Sequence, residues 1–170
     1  ITVPEVTDLA QHQPWRAGAS EAVWVLAHCH PGARSPKESE LRAILVFAGL
    51  PVPGVNEPIT PHDPDSYIVD LWYREQGVGV EYEGEHHQND RQQYGIDIER
   101  YADFRRLDAR YVQVTNEKLA TPRRVVGQVF RELLARGHDG DPPRFDVTWP
   151  FLFRRVRDVP GIRRTRGRAA

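Results

Sequence analysis

The sequence predicts an α/β fold in which a mixed sheet, an antiparallel strand meander plus one crossover strand, is flanked by helices. Three observations carry this. Two runs rich in β-branched and aromatic residues, "YIVDLWY" (67–73) and "VGVEYE" (78–83), are separated by the short turn "REQG", which forces an antiparallel hairpin. A further run of this kind, "RYVQVT" (110–115), follows a stretch with helical spacing, so the chain must cross over before this strand lies beside the sheet. Leu41, Ile44, Leu45 and Ala48 recur three and four apart, which gives a helix one apolar stripe to lay on that sheet.

Each element has its own local signals. Ser20 followed by "EAVWVLAHCH" and then Pro31-Gly32 predicts a short helix with Ser20 as N-cap. "SPKESELRAILVFAGLP" is the clearest helix: Ser35 caps it, Pro36 suits its first position, and Gly49 with Pro51 ends it. The segment 51–64 holds five prolines and reads as extended chain, with one short strand near 55–59. Residues 89–107 form a second amphipathic helix, with Tyr94, Ile98, Tyr101, Phe104 and Leu107 along one side. A last helix spans 122–136.

The chain has 170 residues, enough for one domain with an ordinary core. Residues 35–136 are expected to be that domain, 1–34 a helical remnant of a longer upstream segment, and 137–170 a linker ("HDGDPP") with an arginine-rich tail. The absence of Met fits a chain that starts inside a longer reading frame. Cys29 is the only cysteine, so no internal disulfide can form, and a cytoplasmic location is expected. No run approaches the roughly eighteen apolar residues that cross a bilayer, so no membrane partner is expected.

A net charge of -1 exerts no global pull on nucleic acid, but the basic residues are unevenly chosen. Of 23, only Lys37 and Lys118 are lysines, and seven arginines fall between Arg154 and Arg168. That run reads first as a solvated tail, and secondly as a phosphate-binding arm.

The chemistry concentrates in "VEYEGEHHQND" (80–90). Alternation puts Glu81 and Glu83 on one face of their strand, and a turn at 74–77 brings Asp70 within reach of Glu81. Carboxylates held that close repel unless protonated or bridged by a cation, for which Mg²⁺ or Mn²⁺ is the simplest choice. The competing reading is a solvent-facing strand with acids paired to Arg74 or Arg91. Glu38 has two readings as well. It completes a capping box with Ser35, and it also lies three residues before Leu41, facing inward with the apolar stripe. His86 and His87 suit a general base or a phosphate contact beside the acids, or simply a polar turn. Zinc would have to recruit His28, Cys29 or His30, at spacings that match no ligand pattern. Asp97 and Arg100 lie three apart on one helix. Gln113 shares a strand face with Tyr111 and Thr115.

"SPKESELRAILVFAGLP", "VDLWY", "VGVEYEGEHH" and "YGIDIERYADFRRLDARYVQVT", in that order, resemble the domain of unknown function 559 family. That family is similar to very-short-patch-repair endonucleases and to the PD-(D/E)XK nucleases, and its actinobacterial members are the nearest in pattern. The resemblance covers roughly residues 35–136. It implies a restriction-endonuclease-like core and a metal-dependent DNA endonuclease acting in DNA repair, phage defence or a toxin–antitoxin system. The alternative it leaves is an inactive nuclease-fold module that binds DNA or regulates. By position the resemblance makes Glu38, Asp70, Glu81, Glu83 and His87 the catalytic set, with Mg²⁺ or Mn²⁺ on Asp70, Glu81 and Glu83. Arg91, Arg100 and Gln113 would contact DNA. Glu83 stands where the fold's lysine is expected, so His87 becomes the base, and Gln113 stands where arginine is usual. Further partners implied are a second copy of the chain, an upstream winged-helix-like segment, or an antitoxin.

Overall fold

The computed structural model describes residues 2–63, 66–84 and 104–159. Helix α1 (Val3–His12) opens with a capping box between Thr2 and Glu5 and is not among the expected elements. Helix α2 (Ala19–Leu26) begins at Gly18, not at Ser20. Gly18 takes φ 84°, so the backbone turns into the helix there, and Ser20 falls inside the first turn where it caps nothing.

Helix α3 (Pro36–Phe47) follows its sequence signals at both ends. Ser35 Oγ accepts the Glu38 amide at 3.1 Å. At the far end Gly49 adopts φ 90°. The Leu50 amide then reaches Leu45 O at 3.2 Å and the Gly49 amide reaches Val46 O at 3.0 Å, which is a Schellman closure. Leu41, Ile44, Leu45 and Ala48 are all buried, as the stripe requires. Burying each of the larger three stabilises the fold by about 1.5–3 kcal/mol.

The sheet has four strands in the order β1 (Gly54–Pro58), β2 (Ile68–Tyr73), β3 (Val78–Glu83), β4 (Arg110–Thr115). β1, β2 and β3 form the antiparallel meander, with Tyr73 opposite Val78 across the expected turn. β4 joins parallel to β3, so the chain crosses over between them. The second amphipathic helix, with Asp97 and Arg100, lies outside the described residues apart from a helical stub at 104–106. A short α4 (Asn116–Leu119) leads from β4 into α5 (Pro122–Ala135).

Two clusters sandwich the sheet. Leu71, Tyr73, Val78, Val80, Val112 and Val114 pack with α3 and α5 on one face. Val69, Trp72, Phe104 and Ile59 pack on the other, beside Tyr67 and Tyr111. Strict alternation would place Val69 with Leu71, yet they enter opposite clusters. The break falls at Asp70, and its neighbour across β1, Asn56, holds a positive φ of 51°.

The stretch after Gly137, expected as linker, returns to the core. The Arg144 amide donates to Ala48 O at 2.8 Å and so satisfies the C-terminal turn of α3. Trp149 is buried in the main cluster, with its indole N–H on Ile44 O at 3.1 Å. Among the described residues no helix is long and apolar enough to cross a membrane.

Candidate functional site

A buried carboxylate costs free energy unless its surroundings compensate it, so buried acids mark places where a fold has been shaped around a charge. Among the described residues the buried charged side chains are Glu38 (8% exposed) and Glu81 (4% exposed). Both belong to the set the sequence pointed to.

Glu38 sits at the third position of α3, where its amide is capped by Ser35. Its carboxylate does not close the capping box on the Ser35 amide. Oε2 accepts instead from the Arg34 amide at 2.8 Å and from Asn56 Nδ2 at 2.9 Å. Asn56 Nδ2 also donates to Gly32 O at 2.8 Å. The strained residue of β1 thus ties the N-terminus of α3 to the sheet. Of the two readings of Glu38, the amide follows the structural one and the carboxylate points at the sheet.

Asp70 and Glu81 face each other when the β2–β3 pairing of Leu71 with Val80 is extended by one residue. Their oxygens meet different donors. Asp70 Oδ2 accepts the Tyr82 amide at 2.9 Å, a side chain standing in for a ladder acceptor. Glu81 Oε2 accepts from Tyr67 Oη at 2.9 Å and lies 3.4 Å from Tyr111 Oη. Both residues make further interactions.

The parallel register sets Gln113 beside Glu81 and Thr115 beside Glu83. Glu83 is half-buried at the end of β3. Tyr82 Oη donates to Asn116 Oδ1 at 2.8 Å, and Lys118 Nζ donates to Gln113 O at 2.6 Å. Lys37, one residue before Glu38, pairs with Glu40 at 2.8 Å. That hydrogen bond, with the Glu40 charge, raises its pKa above the ordinary lysine value, and the Tyr82 side chain adds a smaller electrostatic contribution. Lys118 therefore stands at Gln113 near the end of β4, and Lys37 lies within electrostatic range of Tyr82 on β3. His86, His87, Arg91 and Arg100 lie outside the described residues.

Oxygen donors of this kind suit a hard divalent cation. As the described side chains stand, no group of three or more His, Cys, Asp or Glu is arranged to hold one. What the fold does bring together is Glu38 with Asn56, and Asp70 and Glu81 with the tyrosines around them. Asn56, Tyr67, Tyr111 and Lys118 are the participants that sequence reasoning missed. Tyr111 had a signal, since it shares a strand face with Gln113. Asn56 had a weaker one, an Asn of turn character inside a strand. Tyr67 and Lys118 had none.

No family model, curated protein or solved structure matches this chain. The class of protein that the fold defines is an α/β domain, with a four-stranded mixed sheet flanked by helices.

Proposed function

We propose that this chain is a metal-dependent DNA endonuclease with a restriction-endonuclease-like core, hydrolysing phosphodiester bonds at the end of β3. The observation that carries the reading is the burial of Glu81 within the sheet with Asp70 across from it, while Glu38 on α3 is the other buried acid among the described residues. The order of helix α3, three-strand meander and parallel fourth strand supports it.

In this reading Asp70 and Glu81, with Glu83, would hold Mg²⁺ or Mn²⁺, which when bound activates water and stabilises charge on the scissile phosphate. The chain's own residues do the positioning. The Tyr82 amide fixes one oxygen of Asp70, and the Tyr67 hydroxyl orients Glu81. His87 is the proposed base, Arg91, Arg100 and Gln113 the proposed DNA contacts, and DNA the partner. A role in repair, phage defence or a toxin–antitoxin pair fits this chemistry equally.

The second reading is a nuclease-fold module without catalysis that binds DNA or regulates. It is favoured by one observation: Glu38, Asp70 and Glu81 each already spend an oxygen on a protein donor. Incubation of supercoiled and single-stranded DNA with Mg²⁺ or Mn²⁺ separates the two. Cutting that needs the metal and disappears in both Asp70→Asn and Glu81→Gln supports the enzyme. Salt-sensitive DNA binding without cutting supports the inactive module.

A further inference from the structure

A second region with the means to bind a ligand lies away from the acids, where α5 begins. Here an open cavity of about 410 Å³ is lined by Thr121, Pro122, Arg123, Arg124, Trp149 and Phe153. That volume is in the range of small-molecule sites. Its wall is aromatic. Trp149 and Phe153 lie with ring centroids 4.7 Å apart, and Phe145 stands edge-on to Trp149 at 4.9 Å. Phe153 is 54% exposed, so its ring is open at the cavity wall.

The lip is cationic. The Arg123 guanidinium sits 5.1 Å from the Phe145 centroid and 5.6 Å from that of Trp149, within cation–π range of both rings. Arg124 is exposed beside it. Among the described residues neither arginine makes an ion pair, and both line the opening. α5 has no acid in its first turn and no side-chain cap, which leaves its positive end toward the same space. A smaller hollow of about 310 Å³ shares Thr121 and Arg124 and continues past Lys118 and Gln128, with Glu117 as its acid. Lys118 in turn touches Gln113 O at the end of β4.

We propose that this aromatic-walled, arginine-lipped cavity binds a nucleotide of single-stranded nucleic acid, its base against the exposed ring of Phe153 and its phosphates toward Arg124 and Lys118. An exposed phenyl ring beside exposed arginine side chains matches a flat base joined to an anion, and this pairing is how strands are held without sequence readout. An acidic peptide would use the cations and waste the rings. The site goes beyond the carboxylates and needs neither metal nor catalysis from them.

The test is fluorescence anisotropy of a short labelled oligothymidylate with the full chain in EDTA at low salt, where no metal-dependent cutting can interfere. Binding is expected, and it should weaken steeply as salt rises. Phe153→Ala should weaken it about tenfold, the loss of one stacked base. Arg124→Glu should weaken it at least as much, and Arg74→Ala, at the opposite end of the sheet, should leave it unchanged. Thermal melts confirm that each variant folds; should Arg124→Glu fail to fold, the exposed Phe153→Ala decides. The proposal is overturned by no binding at low salt, by wild-type affinity in Phe153→Ala, or by a glutamate-rich peptide that competes as well as the oligonucleotide.

Discussion

Replacing Glu38 separates its structural task from its chemical one. In Glu38→Ala the Arg34 amide and the Asn56 side-chain amide both lose a charged acceptor, at 2.8 Å and 2.9 Å. Hydrogen bonds to a charged group contribute about 1.5–3 kcal/mol each, which sets an upper bound near 3–6 kcal/mol for the pair. Both donors are part-buried, so water recovers some of that, and removing the carboxylate also removes its own desolvation cost. The expected net loss is about 2–4 kcal/mol, or roughly 5–15 °C in Tm for a chain of this size. Glu38→Gln keeps an oxygen of the same reach, so both donors stay satisfied and the loss falls to about 1 kcal/mol. Urea titration measures both variants, and the cleavage assay is run beside it. If Glu38 also serves the phosphodiester chemistry, Glu38→Gln folds and does not cut. An Ala variant as stable as the parent would refute the argument, because the two donors would then not depend on the carboxylate. A Gln variant that unfolds would refute it too.

Further outcomes follow from single contacts. Gly49→Ala should cost about 1–2 kcal/mol through backbone strain alone, since φ is 90° and nothing lies within 4 Å of the added methyl; denaturation with Gly49→Asn as a milder control checks this. The Tyr73 hydroxyl is buried without a hydrogen-bond partner, and burial pushes its pKa well above the usual tyrosine value. Tyr73→Phe should therefore raise the free energy of unfolding by about 1 kcal/mol, and a lower value would show that the hydroxyl is satisfied. Asp108 is held below the ordinary carboxylate range, first by its hydrogen bond from Arg136 and then by the arginine's charge. A depressed folded pKa contributes stability that is present above the unfolded value, near 3.9, and is lost as pH falls through the lower folded value. The stability gap between the parent and Asp108→Asn should accordingly close on acidification below about pH 4, and a gap that widens there would contradict the assignment.

How much of the molecule was legible depends on how far apart its determinants lie. Both ends of α3 are local: Ser35, Pro36 and Gly49 act within a turn of the backbone they cap, and their residue types name the conformation they need. The β2–β3 hairpin is local for the same reason, because a four-residue turn leaves little choice of register. Ser20 shows the limit of such reasoning. Two residues compete to start α2, and the glycine at position 18 wins because the chain must turn there.

By itself the sequence determined the four strands and their order, helices α3 and α5, the apolar stripe of α3, and the identity of the acids that end up buried or facing one another. Those follow from periodicity and from side-chain chemistry, which travel with the chain. Tertiary structure alone decided which groups the acids meet. Asn56 reaches Glu38, Tyr67 and Tyr111 reach Glu81, and the Tyr82 amide reaches Asp70, each through pairing between distant segments. It also decided that Trp149 closes the core against Ile44, 105 residues away in sequence. No local pattern encodes such contacts, because they exist only once the sheet and its helices have fixed where each side chain stands.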